Sequence, residues 1–308
     1  MSTSPQSSKN KWINLYLYLL LALIWSGSFI NIKVVVDALP PVFCAMIRVL
    51  ISLISLCILF KVMRKKVFTF TTDYWRLWMA GLFTQAFPFA LLFYGEKFIA
   101  PALASIINSS VAIWSLVLGT FVFRDFAQWT PLKIAGVASG FMGIILILFP
   151  YVNENSNNLI GILAILAMAI SYAIGGLINQ HVIFKKMSLN FETNIIQQHI
   201  ASVLFLLATS LIMESWPSIA SIFNIKILPA FLYLGMIATA IAWIIYFHLI
   251  REWGALRTAS VMYIVPVMAI VWDLLFLHLI PNRNELIGML AILIGVILIQ
   301  WTRRKNVG

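Results

Sequence analysis

Hydrophobic and polar positions in this chain come in blocks. Apolar runs of about twenty residues follow one another from position 13 to position 302, and a hydrocarbon layer roughly 30 Å thick takes about twenty helical residues to cross. The blocks predict ten spanning helices over 13–35, 41–62, 74–95, 100–122, 131–150, 158–180, 191–213, 228–250, 256–278 and 285–302. Their links are short and often carry proline (Pro40, Pro41, Pro101, Pro131, Pro217, Pro281), and no stretch is left for a soluble domain. Positions 228–277 show the pattern best. The runs LPAFLYLGMIATAIAWIIYFH and ASVMYIVPVMAIVWDLLFL flank the charged turn from Arg251 to Arg257. Thr239, Trp243 and Tyr246 recur at i, i+4 and i+7, and Tyr263, Pro266 and Asp273 at i, i+3 and i+10, so each run carries a polar, aromatic stripe on one face. Two such stripes are expected to wall a cavity.

Composition narrows the class. The chain is 62% hydrophobic and 10% charged, with mean hydropathy +0.98, whereas soluble domains are about 45–50% apolar and about 25% charged. This is an integral membrane protein. The net charge of +11 would suggest nucleic acid if it lay on one solvated face, but the basic residues fall in links, so membrane topology accounts for them and no nucleic-acid partner is expected. Lys9, Lys11, Lys61, Arg64, Lys65, Lys66, Arg251, Arg257 and Arg303 to Lys305 share one predicted side, while Lys33, Lys97, Lys226 and Arg283 lie on the other. Both termini are therefore expected in the cytoplasm, with the protein in a bacterial inner membrane. No cleavable signal is expected before the first run. Cys44 and Cys57 lie about 20 Å apart on one helix, too far to pair, and no cofactor or metal is expected. Trp12, Trp75, Trp78, Trp129, Trp216, Trp253 and Trp301 sit near span ends, as an interfacial belt requires.

The chain also repeats itself. PLKIAGVASGFMGIILIL in the fifth run matches NELIGMLAILIGVILIQ in the tenth, with Gly136 aligned to Gly288 and Gly143 to Gly295; Gly81 and Gly235 mark the third and eighth runs. Two repeats, 13–150 and 158–302, follow. Five helices per repeat is odd, so the second copy enters the membrane inverted. The expected fold is all-α and integral to the membrane, ten transmembrane helices as a 5+5 inverted repeat. Gly136, Gly140 and Gly143 predict close helix packing, either within the chain or in a homodimer.

On these residues the chain resembles the drug/metabolite transporter superfamily, in its ten-span EamA-type branch. The resemblance covers almost the whole chain: Trp25-Ser26-Gly27-Ser28-Phe29, LGMIATAIAWIIYFHLI before Gly254-Ala255, Pro266, and FVFRDFAQWTPLKIAGVASGFMGIILI with Asp125 where the family usually has Glu. Two departures are a fourth span without a proline matching Pro266, and His278 or a neighbour in place of the second family Glu. The resemblance implies a 5+5 inverted-repeat transporter of small metabolites, often amino acids or their derivatives moved outward. Its cavity would be lined by spans one, three, four, six, eight and nine.

Candidate site residues come from the polar and aromatic groups inside the runs. Trp25, Trp114, Trp243 and Trp272 remain once the belt is set aside, and a mid-span indole needs a partner for its N–H; cavity lining and helix packing are both open to each. Arg48 and Asp273 are the clearest charges inside runs, each costing about 2.5–3.5 kcal/mol at the core centre on an insertion scale. Both count to the outer third, where a salt bridge between them is one arrangement, and substrate-carboxylate binding by Arg48 with proton binding by Asp273 another. Ser28, Gln85, Asn108, Tyr172, Thr239, Tyr246 and Tyr263 complete the substrate-binding candidates, Asn108, Tyr172 and Thr239 because the resemblance implies that their spans line the cavity, and Pro88 and Pro266 are the candidate kinks or gates. Gln197, Gln198 and His199 are expected to bond structurally across helices. No nucleotide loop or nucleophile–base spacing points to catalysis. The expected function is a secondary active transporter of a small metabolite, an amino acid or derivative, exporting it against protons. A facilitator or importer is the alternative, and a non-transporting scaffold or lipid-handling protein the alternative from another class.

Overall fold

The computed structural model describes residues 5–67, 74–124, 129–152, 157–180, 190–253, 258 and 260–301. Asp125, Gly254 and Ala255, which carry part of the resemblance, lie outside them. The described residues form helical rods without strands: α1 (Pro5–Val36), α2 (Pro41–Val62), α3 (Tyr74–Glu96), α4 (Pro101–Phe123), α5 (Pro131–Val152), α6 (Asn157–Ile178), α7 (Phe191–Met213), α8 (Ile227–Leu232, Tyr233–Ile241 and Ala242–Trp253 end to end), α9 (Val261–Leu277) and α10 (Arg283–Trp301). Backbone groups in hydrocarbon must be satisfied within the segment, which is why apolar runs of this length become helices. Among the described residues, eight helices are long and apolar enough to cross a membrane, and Val261–Leu277 is a shorter apolar helix. The ninth run is helical over Val261–Leu277, with 256, 257 and 259 of the expected 256–278 outside the described residues, and the fourth is broken at Ser109–Ser110 into Pro101–Asn108 and Val111–Phe123.

Prolines begin α2, α4 and α5, where a missing N–H costs nothing. Two of these starts borrow a carboxylate from another helix. Glu214, just past α7, accepts the N–H groups of Val42 and Phe43 at 2.8 and 2.7 Å, and Asp273 accepts that of Ala102 at 2.9 Å. Each carboxylate satisfies donors that the helix start leaves free and complements its positive end. Glu214, with Asp37, Tyr94 and Lys97, also lines a groove of about 490 Å³ at that end of the bundle.

Packing follows a regular scheme. α1 lies against α9 and α8, and α6 against α4 and α3; α2 packs on α7 and α8, α7 also on α3, and α5 pairs with α10. The α5–α10 contact is set by glycine. A Cβ on Gly136 would meet the Gly295 carbonyl at 2.6 Å, and one on Gly143 would meet the Gly288 carbonyl at 2.6 Å. The glycine face is therefore used inside the chain. Gly81 meets the backbone of Gln198 in α7, and Gly235 meets Ile51 and the Arg48 carbonyl in α2. Outward positions such as Ile58, Ile145, Phe149, Leu211 and Leu275 are apolar and exposed, as lipid contact requires. Of the belt tryptophans, Trp12, Trp75, Trp78 and Trp216 are exposed, while Trp129 donates to Thr120 at 3.0 Å. Both cysteines are free.

Gly143→Ala and Gly295→Ala put a methyl group against facing backbone, so each is expected to lower stability by roughly 1–3 kcal/mol. Gly176→Ala, with nothing within 4 Å, should leave the unfolding midpoint in detergent unchanged or slightly raised.

Candidate functional site

Arg48 is buried, at 4% exposure, one-third of the way along α2. Its Nε donates to Thr239 Oγ1 at 2.9 Å, and its guanidinium lies over the Phe89 ring at 4.2 Å, with Phe93 at 5.9 Å. Local structure explains the fit. Tyr233–Ile241 is a π-helix, and there the Thr239 hydroxyl donates to Leu234 O at 2.7 Å, which turns its lone pairs to the arginine. Gly235 lets the α2 backbone come close enough for that bond. A cation over a ring is held electrostatically without being neutralised. Nη1 remains buried without a partner.

Arg48 and Asp273 do not form an ion pair among the described residues. Asp273 Oδ2 goes to the start of α4, and Oδ1 is buried without a partner. A second acid, Glu96 at the end of α3, is fully buried with neither carboxylate oxygen partnered. Asp273, Lys33, Arg48 and Asp37 are the charged groups in electrostatic range of it. The expected third span stopped at residue 95, leaving Glu96 in a link. Its signal in the sequence is the 4+3 spacing Phe89–Phe93–Glu96, which puts it on the stripe that faces Arg48.

Trp25 packs on Tyr246 with ring centroids 5.3 Å apart, and Tyr246 on Trp243 at 5.7 Å, an aromatic run joining α1 to α8. Tyr172 meets Phe89 at 6.4 Å, so α6 reaches the Arg48 platform. The Tyr233 hydroxyl donates to Ile24 O at 2.8 Å beside Gly27, and Trp272 donates to Ser26 at 2.9 Å. Ser28 turns back to its own helix, donating to Trp25 O at 2.7 Å. Trp114 packs edge-on against Phe141 of α5 at 5.2 Å, and its indole N–H, Asn108 Oδ1 and the Tyr263 hydroxyl are buried without partners. Pro88 follows the π-helical Leu82–Ala86 and Pro266 lies inside α9, both at interruptions of the regular hydrogen-bond ladder.

The amides of α7 form a separate network. His199 Nε2 lies 3.0 Å from Ser52 Oγ, its Nδ1 2.8 Å from Ile195 O and 3.2 Å from Gln85 Nε2. Gln198 contacts Thr84, Asn194 and Asn179 at 2.6–2.9 Å, and Gln197 accepts from Trp78 at 3.1 Å. His199, Gln197 and Gln198 thus bond across helices, as expected. Gln85 is drawn into this network, with only its Oε1 unpartnered.

With the geometry in place, comparison with known proteins decides the family. The profile of the EamA-like transporter family matches residues 12–156 and again 159–301. The chain belongs to the EamA-like transporter family. It is a membrane transporter and not an enzyme. A Salmonella typhimurium relative named a probable amino-acid metabolite efflux pump is 28% identical to this EamA-like chain, over 91% of it and 92% of the relative. An Escherichia coli protein of the same name is 26% identical over 95% and 97%, and a Bacillus subtilis uncharacterized transporter 23% identical over 92% and 96%. A solved crystal structure shares the fold with TM-score 0.63 at 16% identity, over 96% of this chain and 99% of that one.

Thr239→Val leaves the Arg48 Nε as well as Nη1 without a partner. The expected cost is roughly 1–3 kcal/mol, read as a lower unfolding midpoint, whereas Thr209→Val, whose hydroxyl only bonds its own turn, should cost little.

Proposed function

We propose that this protein is a secondary carrier that exports an amino acid or a derivative across a bacterial inner membrane by alternating access, driven by protons. One observation carries the reading. The polar atoms left buried and unpartnered among the described residues, on Arg48, Gln85, Glu96, Asn108, Ser110, Trp114, Tyr263 and Asp273, belong to helices packed on one another inside the bundle. Such groups are costly in hydrocarbon unless a ligand or water meets them. The two efflux-pump relatives support the solute class.

Several features support two inverted halves, 13–150 and 158–302. The family profile matches once in each. The packing of α1 on α9 has its counterpart in α6 on α4, and α2 on α8 in α7 on α3. With Gly136 equivalent to Gly288 and Gly143 to Gly295, the contacts Gly136–Gly295 and Gly143–Gly288 exchange with each other, as contacts across a twofold must. Thr84 meeting Gln198 mirrors Thr239 meeting Arg48, each threonine lying within a π-helical segment. α9 and α10 complete ten spans in this reading, and the basic links put both termini in the cytoplasm.

Arg48 takes the solute's carboxylate. Trp25, Tyr246, Trp243 and Tyr172 form the aromatic wall. Ser28, Gln85, Asn108, Trp114, Thr239 and Tyr263 supply the remaining polar contacts, and Pro88 and Pro266 are the flexing points. Asp273 is the proton-coupling candidate: protonation would weaken its hold on the start of α4 and so link proton binding to helix position. A membrane potential supplies about 2.3 kcal/mol per charge per 100 mV, enough for a roughly fifty-fold gradient of a neutral solute.

The test is reconstitution into liposomes with an imposed pH gradient and a panel of labelled amino acids. Gradient-dependent accumulation is expected, lost or at least tenfold weaker in Arg48→Gln, and insensitive to pH in Asp273→Asn. Liposomes that accumulate no amino acid under the imposed gradient would sink the reading.

A further inference from the structure

Around Glu96 nearly every charged group is already engaged. Lys33 Nζ reaches Asp37 Oδ1 at 2.8 Å and the Glu96 backbone carbonyl at 3.2 Å. Asp273 spends one oxygen on the Ala102 N–H. Arg48 spends Nε on Thr239 and its face on Phe89. What remains without partners is one buried guanidinium nitrogen, both buried oxygens of Glu96 and one of Asp273. These opposite charges are not joined in an ion pair, although a direct pair is what burial ordinarily favours.

The position of Glu96 along α3 suits a particular ligand. Phe89, Phe93 and Glu96 share one stripe of α3, with Arg48 lying over the first two rings. Glu96 stands seven residues beyond Phe89, about 10 Å along the axis, and helical side chains lean back toward the N-terminus. Two hydrogen bonds of about 2.9 Å and the roughly 3 Å between the ends of an α-ammonium carboxylate span about 9 Å. The surroundings of the guanidinium are aromatic: it lies over Phe89 and Phe93, and Tyr172 packs against Phe89.

From this we infer that Glu96 is a substrate-binding residue: it takes the α-ammonium group of a zwitterionic, apolar amino acid whose carboxylate is held by Arg48. The inference rests on the carrier reading above and narrows its substrate class to free amino acids, as distinct from derivatives lacking either charge. Asp273 and Asp37 add negative potential on the ammonium side, and Lys33, tied to Asp37, does not compete for it.

The test measures binding of leucine, 4-methylpentanoate (no ammonium) and 3-methylbutylamine (no carboxylate) to the purified full-length protein in detergent. The wild type should prefer leucine by tenfold or more over each analogue. Glu96→Gln should lower affinity for leucine and the amine about ten- to hundred-fold and leave the acid unaffected or improved. Arg48→Gln should do the reverse. Glu96→Asp, which keeps the charge with a shorter reach, should preserve the order at reduced affinity, and decides the matter if the glutamine variant does not fold. The inference is overturned if the wild type binds none of the three, or if the Glu96 variants weaken all three ligands equally or none. A protein that accumulates amino acids in liposomes while its Glu96 variants keep full selectivity would refute this inference alone, whereas failed accumulation strikes the carrier reading itself.

Discussion

In a hydrocarbon layer a polar group has no water to turn to, and this constraint organises the molecule. Backbone groups meet it by forming helices. Helix starts meet it by borrowing distant carboxylates, as α2 does from Glu214 and α4 from Asp273. Side chains meet it by bonding across helices, and the Ser52–His199–Gln85 network is the fullest case. Against that background of satisfied groups, the few left over become informative. Arg48, Glu96 and Asp273 are costly to bury, and they retain unpartnered atoms at the same end of the bundle.

Close backbone approach is the second condition. Van der Waals contact between helices, rather than expulsion of water, holds a bundle together in lipid. Gly136, Gly143, Gly288 and Gly295 bring α5 and α10 together, while Gly81 and Gly235 let α3 and α8 settle onto α7 and α2. The second pair of contacts has consequences for chemistry. Because Gly235 admits the Arg48 backbone, the arginine can reach Thr239 on a π-helical turn. The corresponding contact near Gly81 is made by the uncharged Gln198. In the proposed two-half arrangement, the same latch is neutral in one half and charged in the other, which confines the cationic end of the site to one side.

The regular features were legible in the sequence because lipid imposes a length and a polarity on every residue of a span. That rule located nearly all the helices to within a few residues, marked the belt tryptophans, and assigned Gln197, Gln198 and His199 to bonding between helices. It failed where geometry departs from a continuous rod. The break at Ser109–Ser110 and the π-helical turns in α3, α8 and α9 leave no signature in hydropathy. Glu96 was hidden for a related reason: a charge at the end of a run reads as a link residue, and only the packing of α1, α2 and α6 on α3 shows that it is buried.

The sequence by itself determined that the chain lies in a membrane, how its helices are divided, and which side chains are expensive to bury, since these depend on residue type and spacing along one strand. Only the tertiary structure decided which of those side chains are satisfied. Arg48 binds Thr239 rather than Asp273, and Asp273 binds a helix start. A hydrogen bond reaches about 3 Å, while the partners stand 191 and 171 residues apart in the chain. Only the folding of the helices against one another brings them within that range.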